Sequence, residues 1–118
     1  MMTTTRVAEN NSHAGQGAVL LDIGGTVGAL VVTMPRDLVG AEIEIRRLGH
    51  VSAHEHHHPH VGVVDRPRDG RHGDTVPSAV FAELEEGSYE LYVRPDGPVM
   101  LVAAVAGGAV EFARWPGT

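Results

Sequence analysis

Cysteine and lysine are absent from the 118 residues of this sequence, and aromatic residues account for only 4% of it. Without cysteine the chain has no disulfide, thiolate zinc site, thiol nucleophile or cysteine-ligated iron–sulfur cluster. Without lysine it forms no Schiff base and lacks the lysine of a phosphate-binding P-loop. The sequence contains nine arginines and 15 acidic residues, which gives a net charge of −6 with histidine neutral. This acidic balance argues against general nucleic-acid binding.

Long hydrophobic runs are absent as well. The N-terminal residues contain no apolar stretch of the kind found in secretory signals. No run reaches the roughly 18 apolar residues of a membrane-spanning helix, and the longest run, 99–106, has the length of a strand. We therefore expect a cytoplasmic protein that does not span a membrane.

The length and composition predict one globular domain. A chain of 118 residues accommodates one hydrophobic core, and 42% hydrophobic with 20% charged residues is typical of a folded protein. Residues 1–16 are polar, and we expect them to form a flexible N-terminal tail. The single domain is then expected over residues 17–118.

Short apolar runs separated by glycine and proline fill the expected domain. In the run 41–48, Ile43 and Ile45 alternate with Glu44 and Arg46, which is the pattern of a half-buried strand. The strand candidates are 18–23, 27–33, 41–48, 61–66, 78–84, 88–94, 99–106 and 109–115. Only 79–86 is also compatible with a helix, and its alternation favours a strand. The pattern predicts an all-β fold, a single antiparallel Greek-key sandwich of seven or eight short strands, with a small barrel as the alternative.

One segment carries a more specific structural motif. In residues 84–91, the turn glycine Gly87 precedes Tyr89, and alternating apolar residues follow. This segment resembles the tyrosine corner of prealbumin-like and carboxypeptidase-regulatory-like domains, which are seven-stranded sandwiches related in architecture to immunoglobulin domains. The resemblance implies that the tyrosine ring packs in the core and that its hydroxyl bonds to the backbone near the turn. Tyr89 is therefore expected to be structural.

A wider resemblance extends along the expected domain. It is carried by segments 19–30, 38–45, 60–66 and 79–81 together with the Gly87 and Tyr89 motif. In these segments the chain resembles a family of small, largely uncharacterised actinobacterial β-proteins, some of which carry an automatic phospholipase label. The resemblance implies a compact β-domain and brings no established active site. The label is the sole support for a hydrolase that acts on phosphoester or lipid substrates.

The residues themselves do not form a standard catalytic apparatus. None of the four serines lies in the G-x-S-x-G elbow of an α/β-hydrolase; they are Ser12, Ser52, Ser78 and Ser88. His72 with Asp69 and Asp74 forms a His–Asp combination at loop spacing, but such combinations are common in polar loops. We assign no catalytic residue and no organic cofactor, and we expect a protein that is not an enzyme.

Histidine is the residue in excess, with eight in the chain and six of them between positions 50 and 60. In an extended chain, alternate histidines project to one face about 6.5–7 Å apart, so two imidazoles can turn toward one ion. Pro59 favours an extended backbone at the preceding residue. Neutral imidazole suits Zn²⁺, Ni²⁺ and Cu²⁺, which are the expected cofactors. The expected metal ligands are His50, His54, His56, His57, His58 and His60.

The histidine-rich segment has two other interpretations. It is either an ordinary solvated loop between strands or a pH-responsive surface, since protonation of all eight histidines changes the net charge from −6 to +2. Three classes of function therefore stay open. They are a non-enzymatic binding module for a metal ion or a protein partner, the hydrolase, and a structural protein that self-associates. For self-association, Tyr92 and Trp115 are the candidate exposed aromatics, although Trp115 equally suits the core.

Overall fold

The structure, a computed structural model, describes residues 5–9, 19–48, 59–67 and 74–118. In these residues the chain forms ten strands, no α-helix, and one 3₁₀ turn at Arg36–Leu38. The strands are β1 Thr5–Glu9, β2 Val19–Ile23, β3 Val27–Thr33, β4 Glu42–Arg47, β5 His60–Gly62, β6 Val64–Pro67, β7 Thr75–Glu85, β8 Gly87–Val93, β9 Val99–Val105 and β10 Val110–Arg114. None of the described segments is a helix with the length and hydropathy needed to cross a bilayer.

Eight of the strands form a sandwich of two four-stranded sheets. Sheet I has the order β10-β3-β7-β6, and sheet II has the order β5-β4-β8-β9. Every pair is antiparallel except β10 with β3, which is parallel. Both sheets stay open, so the predicted all-β sandwich is confirmed and the barrel alternative is wrong. The strand prediction for 78–84 is confirmed by β7, and the helical alternative there is wrong.

The main core lies between the two sheets and is filled by alternate residues of the strands. In β4, Ile43 and Ile45 are fully buried, while Glu44 and Arg46 point away from the core, as the sequence alternation predicts. Trp115, just after β10, is also buried in this core. The sequence left Trp115 open between the surface and the core, and its indole ring takes the core position because apolar area is removed from water there.

The strand predicted at 61–66 is divided between the two sheets. β5 pairs with β4 in sheet II, and β6 pairs with β7 in sheet I. Between them the side chain of Val63 is buried, and the Val63 N–H donates to the Ala41 carbonyl at 2.9 Å. The prediction of one strand was wrong because a short apolar run does not reveal where the chain crosses from one sheet to the other.

A second, smaller apolar cluster lies on the outer side of sheet I. Leu21 and Ile23 of β2 are buried there against Ala29, Val31 and Val80. β1 pairs antiparallel with β2 and completes this additional layer.

β1 occupies part of the segment for which the sequence predicted a flexible tail, residues 1–16. The strand Thr5–Glu9 has only five residues and is surrounded in the sequence by polar residues, so the sequence pattern does not indicate a strand there. Its backbone groups pair with those of β2 through five residues, from Thr5 opposite Ile23 to Glu9 opposite Val19. The sequence did not predict β1, because this strand forms by pairing with β2, which comes later in the chain.

The turn between β7 and β8 is built around Tyr89. The Tyr89 side chain is buried, and its hydroxyl donates a hydrogen bond to the Glu85 carbonyl at 2.5 Å. The Arg47 guanidinium lies over the ring, 5.4 Å from the ring centroid. Burial raises the pKa of Tyr89, so the hydroxyl keeps its proton and stays a donor at neutral pH.

Candidate functional site

The outer face of sheet II carries a network of polar side chains, here called the polar face. It is defined by side chains that project from β5, β4, β8 and the residue that follows β8: His60, Glu42, Glu44, Arg46, Glu90, Tyr92 and Arg94. The strand register brings them together, because Glu44 lies opposite Tyr92 and Arg46 lies opposite Glu90. Directly opposed residues of antiparallel strands share a face of the sheet, so these side chains contact one another.

Glu44 is the centre of the interactions on β4. Its Oε2 accepts a hydrogen bond from the Tyr92 hydroxyl, and its Oε1 lies 3.0 Å from Arg94 Nε. Next to it, Arg46 Nε donates to Glu90 Oε1 at 2.7 Å, and the Arg46 guanidinium lies 5.1 Å from the centroid of the Tyr92 ring. Every one of these charged groups therefore has a partner of opposite sign on the neighbouring strand.

These contacts cover Tyr92. The sequence suggested Tyr92 as an exposed interface aromatic, and this was wrong, because its side chain is only 7% exposed. The pKa of Tyr92 is raised to about 12, mainly by burial and to a smaller extent by the hydrogen bond to Glu44. The phenol is therefore neutral at physiological pH and acts as a donor that orients the Glu44 carboxylate.

His60 pairs with a carboxylate at the β5 side of the polar face. Its Nδ1 lies 2.7 Å from Glu42 Oε1, and the two side chains are 44% and 47% exposed. The β4–β5 ladder positions the pair, since His60 lies opposite Glu44 and the Ile45 N–H donates to the Pro59 carbonyl at 3.0 Å. The imidazole is thus held on a strand while much of its ring remains accessible to solvent.

The Glu42 contact determines which ring nitrogen of His60 can bind a metal ion. An ionised carboxylate only accepts hydrogen bonds, so the proton of the neutral ring lies on Nδ1. The other nitrogen, Nε2, then keeps its lone pair and is a potential ligand. A carboxylate that accepts from one histidine nitrogen while the other binds metal is a recurrent arrangement in metalloproteins, where it fixes the tautomer and the ring orientation.

Only one of the predicted metal ligands lies in the described part of the chain. His50, His54, His56, His57 and His58 lie outside the described residues. Within 5–9, 19–48, 59–67 and 74–118, no three histidine, aspartate or glutamate side chains are grouped so that they could hold an ion. The structure therefore brings His60 together with Glu42 and leaves the rest of the predicted ligand set a prediction.

Glu42 was missed by sequence reasoning because it lies 18 positions before His60. A signal was present in the alternating run 41–48, which puts Glu42 on the same face as Glu44. The register between that run and the strand after the histidines was needed as well, and a single sequence does not specify it.

The residues considered for hydrolysis are not assembled into a site in the described part of the chain. Asp69 and His72 lie outside the described residues, as do Ser12 and Ser52. Ser78 is buried, and its Oγ accepts a hydrogen bond from an Arg66 guanidinium nitrogen at 2.9 Å. This contact explains how a serine hydroxyl is accommodated in β7, since burial without a partner would be costly.

The fold and the polar face define a small β-sandwich module with a carboxylate-supported histidine at one edge of a sheet. No protein-family model, no curated protein and no solved structure matches this chain significantly.

Proposed function

We propose that this chain is a small non-enzymatic β-sandwich module that binds a divalent transition-metal ion, Zn²⁺, Ni²⁺ or Cu²⁺, through its histidine-rich segment, residues 50–60. The observation that supports this proposal most directly is the pairing of His60 with Glu42. His60 is the last histidine of the segment, and its Nε2 is the ring nitrogen that remains for a metal ion. Imidazole nitrogen is a suitable donor for all three ions.

The position of His60 on β5 favours binding for an entropic reason. A ligand that is already held by a strand and a carboxylate loses less conformational freedom on binding than a ligand in an unrestrained chain. The first imidazole bound by the ion is then His60, and neighbouring histidines complete the coordination. Five of them precede His60 within ten residues, so several are close enough in sequence to reach the same ion.

The histidine-rich segment is tested by titration calorimetry of the full chain with Zn²⁺ and with Ni²⁺. We expect affinity in the micromolar range for the unaltered chain. We expect this binding to disappear when His54, His56, His57, His58 and His60 are all replaced by alanine. Equal affinity in that variant would show that the segment is not the binding site.

The role of Glu42 is tested by the single change Glu42→Ala. Loss of a carboxylate that supports a metal-bound histidine typically weakens metal binding by about 10- to 100-fold, and we expect a loss of at least about tenfold here. Glu90→Ala is the matched control, because Glu90 lies on the same face but pairs with Arg46. If Glu42→Ala and Glu90→Ala bind metal equally well, the support from Glu42 does not exist.

A further inference from the structure

β9, Val99–Val105, forms one end of sheet II and pairs with β8 alone among the described strands. Its sequence, VMLVAAV, contains no charged residue and no proline. Unpaired N–H and C=O groups at such an edge attract another strand, and proteins usually protect sheet edges with charges, proline or short length.

The other three edges of the two four-stranded sheets have such protection. β5 consists of only three residues, and its first residue is the paired His60. β6 contains Asp65, Arg66 and Pro67, and β10 contains two charged residues. β9 is therefore the one long edge among these four that is open to pairing.

Backbone hydrogen bonds at the two ends of the β4–β8 ladder define which groups β8 directs toward β4. The Leu48 N–H donates to the Ser88 carbonyl, and the Arg94 N–H donates to the Glu42 carbonyl, both at 2.9 Å. In an antiparallel pair, directly opposed residues either exchange both bonds or exchange none, and the two kinds alternate. The even-numbered residues of β8 therefore bond to β4, and its odd-numbered residues bond to β9.

The same alternation identifies the free groups of β9. Leu91 lies opposite Leu101 and Tyr89 lies opposite Ala103, so the odd-numbered residues of β9 bond to β8. The N–H and C=O groups of Val102 and Ala104 consequently point away from β8, toward the open edge. The side chains of both residues point away from the core, and that of Val102 is 53% exposed.

We propose that the open edge of β9 pairs with β9 of a second copy of this chain in a symmetric antiparallel dimer. The pairing is centred on Ala103, so that Val102 lies opposite Ala104 of the second copy and each pair exchanges two backbone hydrogen bonds. A centre at Ala103 uses the regular part of the strand, because Met100 forms a bulge opposite β8. Sheet II of one copy and sheet II of the other then join into one continuous sheet of eight strands.

The chemistry of this edge suits a second copy. In a twofold-symmetric dimer, β9 pairs with an identical β9. Because β9 carries no charged residue, this pairing brings no like charges together. The assembly also stops at two copies. The far edge of the joined sheet is β5, which is three residues long, so the pairing has no open end from which a filament could grow.

The test is the solution mass of the full chain, measured by light scattering and sedimentation at several concentrations. We expect twice the mass of one chain. We expect Val102→Lys to be a monomer, because the two lysines would be diagonal neighbours on one face of the joined sheet, where their charges repel. Phe112→Lys is the matched control. Phe112 is 67% exposed on the edge strand β10 of sheet I, and we expect this variant to stay dimeric. A monomeric unaltered chain, or a dimeric Val102→Lys chain, would overturn the proposal.

A second variant separates pairing from side-chain effects. In Ala104→Pro the missing N–H is one that β8 does not use, so the monomer keeps its ladder and its circular dichroism spectrum, while the dimer loses hydrogen bonds. We expect this variant to be a folded monomer. The absence of natural cysteine permits a further check, in which Val102→Cys combined with Ala104→Cys forms a covalent dimer on oxidation. A folded dimer of Ala104→Pro, or failure to crosslink, would contradict the register.

Discussion

Gly28 is a residue at which the backbone leaves no room for a side chain. A Cβ at this position would lie 2.2 Å from the Ala106 carbonyl oxygen and 2.8 Å from a methyl of Val105. The glycine therefore allows β3 to pass close to the turn that joins β9 and β10.

We expect Gly28→Ala to lower the free energy of unfolding by about 1–3 kcal/mol, because the added methyl forces the neighbouring backbone to move. Denaturant titration measures this change. The control is Gly62→Ala, since a Cβ there meets its nearest atom, Glu42 Oε2, at 3.5 Å, which is an ordinary contact. Equal midpoints for the two variants would show that the close approach at Gly28 is not constraining.

Tyr92 makes stability depend on pH in the alkaline range. Its pKa is raised from 10.0 to about 12 in the folded protein, chiefly by burial. The folded state therefore holds the phenolic proton more tightly than the unfolded state does. The resulting stabilisation is complete below about pH 10 and is lost as the pH rises toward 12.

We expect the unfolding free energy to fall more steeply between pH 10 and 12 in the unaltered chain than in Tyr92→Phe, which has no phenolic proton to lose. Denaturant titrations at several pH values measure the two slopes, and tyrosinate absorbance follows the ionisation directly. Parallel slopes would contradict the link between Tyr92 and stability.

At the scale of elements, β2 is the strand whose contribution to the buried apolar area is hardest to predict from the surrounding sequence. It belongs to neither sheet of the sandwich, yet Leu21 is only 2% exposed because it packs on the outer side of sheet I. β2 therefore covers apolar residues of sheet I that would otherwise face water.

We expect Leu21→Ala to lower the free energy of unfolding by about 2–5 kcal/mol, the usual range for a large apolar side chain removed from a packed site. Val39→Ala is the control, since Val39 is 45% exposed and its truncation removes little buried area. Chemical denaturation of both variants provides the comparison. Similar losses in the two would mean that β2 does not pack as described.

At the scale of the whole molecule, the two apolar clusters lie on opposite faces of the same two strands, β3 and β7. In β3, Leu30 and Val32 belong to the core between the sheets, while Ala29 and Val31 belong to the cluster under β2. β7 does the same, with Phe81 in the core and Val80 in the outer cluster. Because both clusters are built on β3 and β7, we expect the sandwich and the outer layer to unfold together.

We expect one thermal transition in which the calorimetric enthalpy equals the van't Hoff enthalpy. Scanning calorimetry of the unaltered chain and of Leu21→Ala measures this. In the variant we expect the same single transition at a lower temperature. Two separated transitions would show that the β1–β2 layer is an independent unit.

Much of the architecture could be predicted from local patterns. The alternation around Ile43 and Ile45 predicts both the strand and its buried face, and the run at 78–84 predicts most of β7. Local patterns failed where a partner elsewhere in the chain decides the outcome. Tyr92 looked like a surface aromatic because the contacts of Glu44 and Arg46 that cover it come from another strand.

The sequence by itself determined the all-β class, the buried faces of strands such as β4, the absence of thiol and lysine chemistry, and the position of the histidine-rich segment along the chain. Only the tertiary structure decided that Glu42 pairs with His60, that β1 pairs with β2, and that β9 is an open edge. The physical reason is the range of the interactions. Side-chain alternation and composition are properties of neighbouring residues, whereas register and edge position arise from pairing between distant segments.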